Sequence, residues 1–173
     1  MFETLRRLWR HRWLDERDTR RAIDPALVQR LTQRVRASEQ RHRGEVRVCI
    51  EASLPNSYLR RDGAMREIVH QRALTMFSKL RVWDTEENNG VLVYLLLAER
   101  AIEIVADRGL NRHVSPVQWQ AMVQRMGSAF AAGEFETGLT QALEEVSALL
   151  VAHYPATQDE RPVNQLPDMP VLR

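Results

Sequence analysis

Residues 81–109 read RVWDTEENNGVLVYLLLAERAIEIVADRG, and this stretch decides the fold. An acidic, amide-rich loop (Asp84, Glu86, Glu87, Asn88, Asn89, Gly90) runs into an unbroken apolar run, Val91 to Leu97. Such a run between turn signals suits a strand covered on both faces, hence the middle of a sheet. A polar turn at Ala98-Glu99-Arg100 leads to Ala101–Asp107, again strand-like. So short a connection permits only an antiparallel hairpin.

Upstream, Glu45 to Ala52 alternates, with Val46, Val48, Ile50 and Ala52 on one face and Arg47, Cys49 and Glu51 on the other. The polar face predicts a strand less covered than Val91–Leu97. Between the two strands lie a loop, Leu54 to Arg61, and a helix over about Asp62–Leu80, with Met65, Ile68 or Val69, Ala73, Met76 or Phe77 and Leu80 on one face. Strand, helix and strand form a crossover unit, so the two strands run parallel if adjacent.

Three further helices follow from their stops and starts. Asp24-Pro25 opens one with Asp as N-cap and Pro at the first helical position, and Leu27, Leu31 and Val35 stripe it. Ser115-Pro116-Val117-Gln118 is a capping box, followed by Trp119, Met122, Val123, Met126 and Phe130 and ended by Gly133. The last helix, about Glu134–His153, buries Phe135, Leu139, Leu143 and Val146, and Gly138 within it points to close helix packing. From Tyr154 on, four of the seven prolines fall in twenty residues and periodicity vanishes, so 155–173 reads as an extended or disordered tail.

Residues 1–22 carry seven arginines with Trp9, Trp13 and several leucines, a basic amphipathic helix. Two readings stay open for it: peripheral contact with an anionic membrane face or a partner, and docking on the domain by its tryptophans. The expected organisation is therefore 1–22 helix, 23–154 α/β domain and 155–173 tail.

The chain has 173 residues and a net charge of +2, and Lys79 is its only lysine. A weak overall field and a uniform arginine bias argue against nucleic acid. The single cysteine, Cys49, excludes an internal disulfide, and neither a signal peptide nor a membrane span is legible, so the expected setting is cytoplasmic. Cys49 lies mid-strand as a packed residue. The histidines (11, 42, 70, 113, 153) show no zinc spacing, and no nucleophile elbow, Walker loop or dinucleotide fingerprint occurs.

The topology places Glu45, the Asp84–Gly90 loop and Asp107-Arg108-Gly109 at one pole. Loop carboxylates and amides are the oxygen donors preferred by Ca²⁺ or Mg²⁺, with Asp84, Glu87, Asn89 and Asp107 the first candidates. Turn chemistry is the competing account: Asn89-Gly90 tolerates positive φ, Asp84 could cap its own loop, and Asp107 could pair with Arg108 or Arg43. The opposite pole, Ser53–Gly63 with the Glu99-Arg100 turn, is a rival pocket in which Arg60-Arg61 could meet an anion.

The segments GEVRVCIEASL (44–54), MFSKLRVWDTEENNGVLVYLLLAERAIEIVADRGL (76–110) and FAAGEFETGLTQAL (130–143) together resemble the TPM domain, over about residues 24–154. The resemblance implies a three-layer α/β/α sandwich with a mixed central sheet, parallel apart from the hairpin. It implies a range of roles: acid phosphatase, calcium binder, or accessory factor of membrane complexes. The family's acidic cleft maps onto Asp84, Asn88, Asn89 and Asp107, with Glu45 nearby. Asn88 stands where family members often carry aspartate, which removes one anionic ligand. Two readings result. One is a cytoplasmic accessory module binding a protein partner or membrane complex; the other is a phosphomonoesterase using a divalent cation in the same cleft.

Overall fold

A computed structural model describes residues 9, 11, 19, 21–157 and 164–173. The hairpin and the crossover unit form as the hydrophobic pattern dictates. Strand β1 (Val46–Glu51) pairs parallel with β2 (Val91–Leu96), and β2 pairs antiparallel with β3 (Ala101–Ala106) across a 3₁₀ turn, Leu97–Glu99. Arg100 takes the left-handed conformation, φ 49°, that reverses the chain there.

Helices cover both faces. Helix α1 (Pro25–Glu39) begins as its sequence prescribes, the Asp24 carboxylate accepting from the Leu27 N–H at 2.6 Å. After β1 come a single helical turn, α2 (Asn56–Leu59), inside the expected loop, and α3 (Met65–Lys79). Helix α3 starts with its apolar stripe at Met65, three residues after the expected Asp62, because Gly63 at φ 116° interrupts entry from Asp62. Past β3 lie the turn α4 (Arg108–Asn111), α5 (Pro116–Ala132) with its reciprocal Ser115–Gln118 capping box, and α6 (Phe135–His153). Val48, Val93, Ile104 and their neighbours meet α1, α5 and α6 on one face; Leu92, Tyr94 and Val105 meet α2 and α3 on the other. The result is the three-layer α/β/α sandwich. A Cβ on Gly138 would come within 2.6–2.8 Å of the Phe130 ring, so the small residue sets the α5–α6 approach.

One expectation is corrected, that β1 would be less covered than β2; all six residues of each are buried. The polar face of β1 is covered because each charge has a partner. Glu51 takes two hydrogen bonds from Arg72, at 2.9 and 2.6 Å, and one from the Tyr94 hydroxyl at 2.7 Å. The Arg47 guanidinium donates to the carbonyls of Pro167 and Met169. Part of the tail joins the sheet as an extended segment: Val171–Leu172 forms β4, parallel to β1, giving the order β3-β2-β1-β4. Most of the 1–22 helix expectation lies outside the described residues.

Candidate functional site

The register Val46↔Val91↔Ala106 puts the start of β1, the start of β2 and the end of β3 at one pole. Two backbone bonds tie them, Val91 N–H to Glu45 C=O at 2.8 Å and Asp107 N–H to Gly90 C=O at 2.9 Å. The 84–90 loop is shaped by Thr85, whose hydroxyl accepts from the Asn89 N–H at 3.1 Å and whose carbonyl accepts from the Asn88 N–H at 3.2 Å. Asn88, at φ 52°, is the left-handed residue, so the turn lies one step before Asn89-Gly90. Gly90 is needed for a different reason: a Cβ there would overlap the Val82 carbonyl oxygen. The loop closes onto α4, with Gly109 N–H donating to Asn88 C=O at 2.9 Å and Arg108 Nε to Asn88 Oδ1 at 2.9 Å.

Of the four candidate ligands, Glu87, Asn89 and Asp107 gather around Arg43 and Tyr154. Glu87 pairs with Arg43 at 2.9 Å, and the Asn89 side-chain amide donates to the Arg43 carbonyl at 3.0 Å. Asp107 caps α4, its Oδ1 accepting from the Arg108 N–H at 2.7 Å. Asp84 instead faces Arg81, at 2.7 Å, on an exposed turn. Glu45 is drawn into holding the tail: its carboxylate accepts from the N–H groups of Gln165 and Leu166, both at 3.1 Å. Burial raises the Glu45 pKa and these two bonds oppose the shift.

Two oxygens at this pole lack a donor among the described residues, Asn89 Oδ1 and Asp107 Oδ2, and both are inaccessible to solvent. A buried acceptor left unpaired costs about 1–3 kcal/mol, more when charged. Oxygen ligation would relieve that, and the Glu87 and Asn88 carbonyls face Gly109 in the same turn, both within 3 Å of a Cβ built there. No group of three or more His, Cys, Asp or Glu side chains arranged to hold a metal occurs among the described residues. A cation at this pole would have to rely on a mixed set of carboxylate, amide and main-chain oxygens.

Tyr154 is the site residue that sequence reasoning missed. Its carbonyl accepts from the Arg43 N–H at 2.8 Å, and a Cβ on Gly109 would stand 2.9 Å from its hydroxyl. Burial raises its pKa, Glu87 and Asp107 add to the rise, and Arg112 and Arg43 oppose it. The His113 ring stacks on His153 at 4.5 Å and meets Tyr154 edge-on at 6.1 Å. The tail proline just after Tyr154 hid this role, since the pattern there reads only as a helix end.

The rival pole is closed by His11. Its Nδ1 accepts from the Leu54 N–H at 3.1 Å and its Nε2 lies 3.0 Å from Glu99. Arg61 is engaged as well, stacked 3.9 Å over the Tyr58 ring and donating to Gln71. Cys49 is buried and its thiol is pushed up to about 12, mainly by burial, which leaves it unreactive.

The TPM domain model matches residues 17–149. The chain belongs to the TPM domain family. A similar solved structure is the NMR structure of the BA42 protein from the psychrophilic bacterium Bizionia argentinensis, 26% identical with a TM-score of 0.68, covering 83% of this chain and 90% of that one. A second is the solution structure of the N-terminal domain of a protein from P. gingivalis, 20% identical with a TM-score of 0.54, covering 73% and 76% of the two chains; it supports the fold alone. No curated protein matches. Among the described residues no helix is long and apolar enough to cross a membrane.

Proposed function

We propose that this TPM domain is a non-catalytic accessory module that serves a protein partner or membrane complex from the cytoplasm, with a divalent cation, Ca²⁺ or Mg²⁺, ordering its loop pole. The observation that carries the cation is the pair of buried, donorless oxygens, Asn89 Oδ1 and Asp107 Oδ2. Asp107 supplies the charge, Asn89 and the loop carbonyls supply neutral oxygens, and Glu87 joins when it leaves Arg43. Asp84 stays with Arg81 and is dropped from the ligand set. With so few anionic ligands the affinity belongs at the weak end for such sites, a Kd on the order of 0.1–1 mM.

Calorimetric titration of metal-stripped protein with CaCl₂ and MgCl₂, read alongside NMR shifts, tests this. Saturable binding with shifts at Asn88, Asn89, Gly90 and Asp107, absent from Asp107→Ala, is the expected result. Neither heat nor shifts at millimolar cation would return the pole to turn chemistry.

The phosphomonoesterase reading rests on the arginines at the same pole, Arg43 and Arg112 acting on Tyr154 and Arg108 reaching Asn88. A cation at Asp107 would polarise a phosphoryl oxygen, and these arginines would balance its charge. Hydrolysis of p-nitrophenyl phosphate that disappears in Asp84→Ala/Asp107→Ala would favour it. Activity surviving in that variant would belong to another site or a contaminant. Peripheral membrane contact through residues 1–22 is tested separately: deleting them abolishes sedimentation with anionic vesicles if they anchor the chain.

A further inference from the structure

A large recess lies away from the loop pole. It is a groove of about 940 Å³ along the C-terminal half of β3, whose floor is Glu103 to Ala106. Helix α3 forms one wall with Arg66, His70 and Leu74; helix α5 forms the other with Trp119 and Val123. β3 is the outermost strand on this side, with β2 its neighbour in the sheet.

Its hydrogen-bonding phase follows from the register. Asp107 N–H bonds to Gly90 C=O, and residues of an antiparallel strand alternate between bonding inward and outward. Val105 and Glu103 therefore bond to β2, while the N–H and C=O of Ile104 and the N–H of Ala106 face the groove. The Ala106 carbonyl confirms the phase, since it accepts from the Asn111 side chain at 2.7 Å. Asn111 is held in turn by the Trp119 indole N–H at 2.9 Å, so the groove has a defined end.

We propose that this groove receives an extended segment of a partner protein as a fifth strand on β3, with apolar side chains facing Trp119 and Val123 and an acidic side chain facing Arg66. Backbone groups on the floor supply register, and the walls select alternate side chains, as strand addition requires. The acidic side chain is placed opposite one residue. Glu103 on the floor is taken by His70 of α3 at 2.9 Å and Glu67 also lines the α3 wall, whereas exposed Arg66 has no ion pair among the described residues. Leu74, 46% exposed, and half-buried Trp119 provide apolar surface that a strand would cover. A second copy fits less well, because its own α3 and α5 flank its β3 and would meet these walls before the strands could pair.

This inference rests on the partner-binding part of the proposed function and is independent of the cation. The test uses fluorescein-labelled decapeptides that alternate valine, leucine or isoleucine with glutamate or threonine, added to the full chain. Binding is read by anisotropy and by amide hydrogen exchange. The expected result is saturable binding that slows exchange at Ile104 and Ala106. Trp119→Ala weakens it about tenfold, and Arg66→Glu weakens the glutamate peptides about two- to fivefold while favouring lysine analogues. Peptides N-methylated at alternate residues lose binding. Equal binding by N-methylated peptides would overturn strand addition in favour of a side-chain groove. Concentration-dependent dimerisation in sedimentation, lost in Trp119→Ala, would assign the groove to a second copy. Binding with shifts at Asn88–Gly90 instead would overturn the groove and leave the partner reading standing; no binding by any peptide at millimolar concentration would overturn the groove, and partner binding would then have to be sought without it.

Discussion

Two buried polar clusters lie at opposite ends of β1 and are built on opposite principles. At its C-terminal end, Glu51 is matched by Arg72 and Tyr94 until both of its oxygens are occupied. At its N-terminal end, Asn89 and Asp107 each keep one buried oxygen without a donor. The first cluster is closed and can only hold the fold together. The second is open, and its unmet valence is what the proposed cation site rests on. Burial alone does not distinguish them; completeness of pairing does.

The comparison is broken most severely at the closed end. Arg72→Met leaves the Glu51 carboxylate buried without its counter-charge and should cost about 3–5 kcal/mol in denaturant unfolding. Adding Glu51→Leu should recover most of that loss, because a closed pair contributes little beyond its own completeness. If the double variant is no more stable than Arg72→Met, the cluster has a role beyond self-pairing.

At the open end, shape matters more than pairing. Gly90→Ala drives a methyl into the Val82 carbonyl and should destabilise by about 1–3 kcal/mol.

Proton linkage sharpens the contrast beside this pole. Burial, chiefly, lifts Glu39 to about 8, with Glu45 and Asp168 adding to the rise, although the Val46 N–H bond at 2.9 Å opposes it. Its contribution is complete below the ordinary carboxylate value and is lost as pH rises toward 8. His42 runs the other way. Burial pushes it down to about 4, so its contribution is complete above the ordinary imidazole value and lost as pH falls toward 4. Between about 6.5 and 8 only Glu39 of this pair acts, and stability there should fall with rising pH. Glu39→Gln should flatten that limb in a pH series of unfolding curves and leave the acid limb in place.

The smallest effect is expected where the site reading is strongest. Asp107→Asn keeps an oxygen for the Arg108 N–H and should change stability by less than about 1 kcal/mol, yet abolish the response to Ca²⁺. A large loss of stability would mean that the Asp107 carboxylate already has a structural counterpart.

The hairpin, the crossover and the helix caps were legible because each is local. Val91–Leu97 needs no partner to be recognised as buried, and Ser115 and Gln118 lie within one turn. The polar face of β1 misled because its partners are remote: Arg47 reaches carbonyls at 167 and 169, about 120 residues on. The strand at Val171–Leu172 is too short to carry a period. At the site, topology brought Glu87, Asn89 and Asp107 to one pole, but spacing could not tell that Arg81 would take Asp84 or that the tail would take Glu45. Asn88, not Gly90, carries the left-handed turn, a distinction that only backbone geometry makes.

The tail strand decides which edge of the sheet is left open. Ten residues, 164–173, are fastened over β1 by Arg36 to Asp168, Arg47 to two carbonyls and Glu45 to two N–H groups. What they present outward is an edge only two residues long, too short to template a neighbour. The tail thus occupies the edge of the sheet opposite β3, and a strand added at β3 would leave these fastenings untouched.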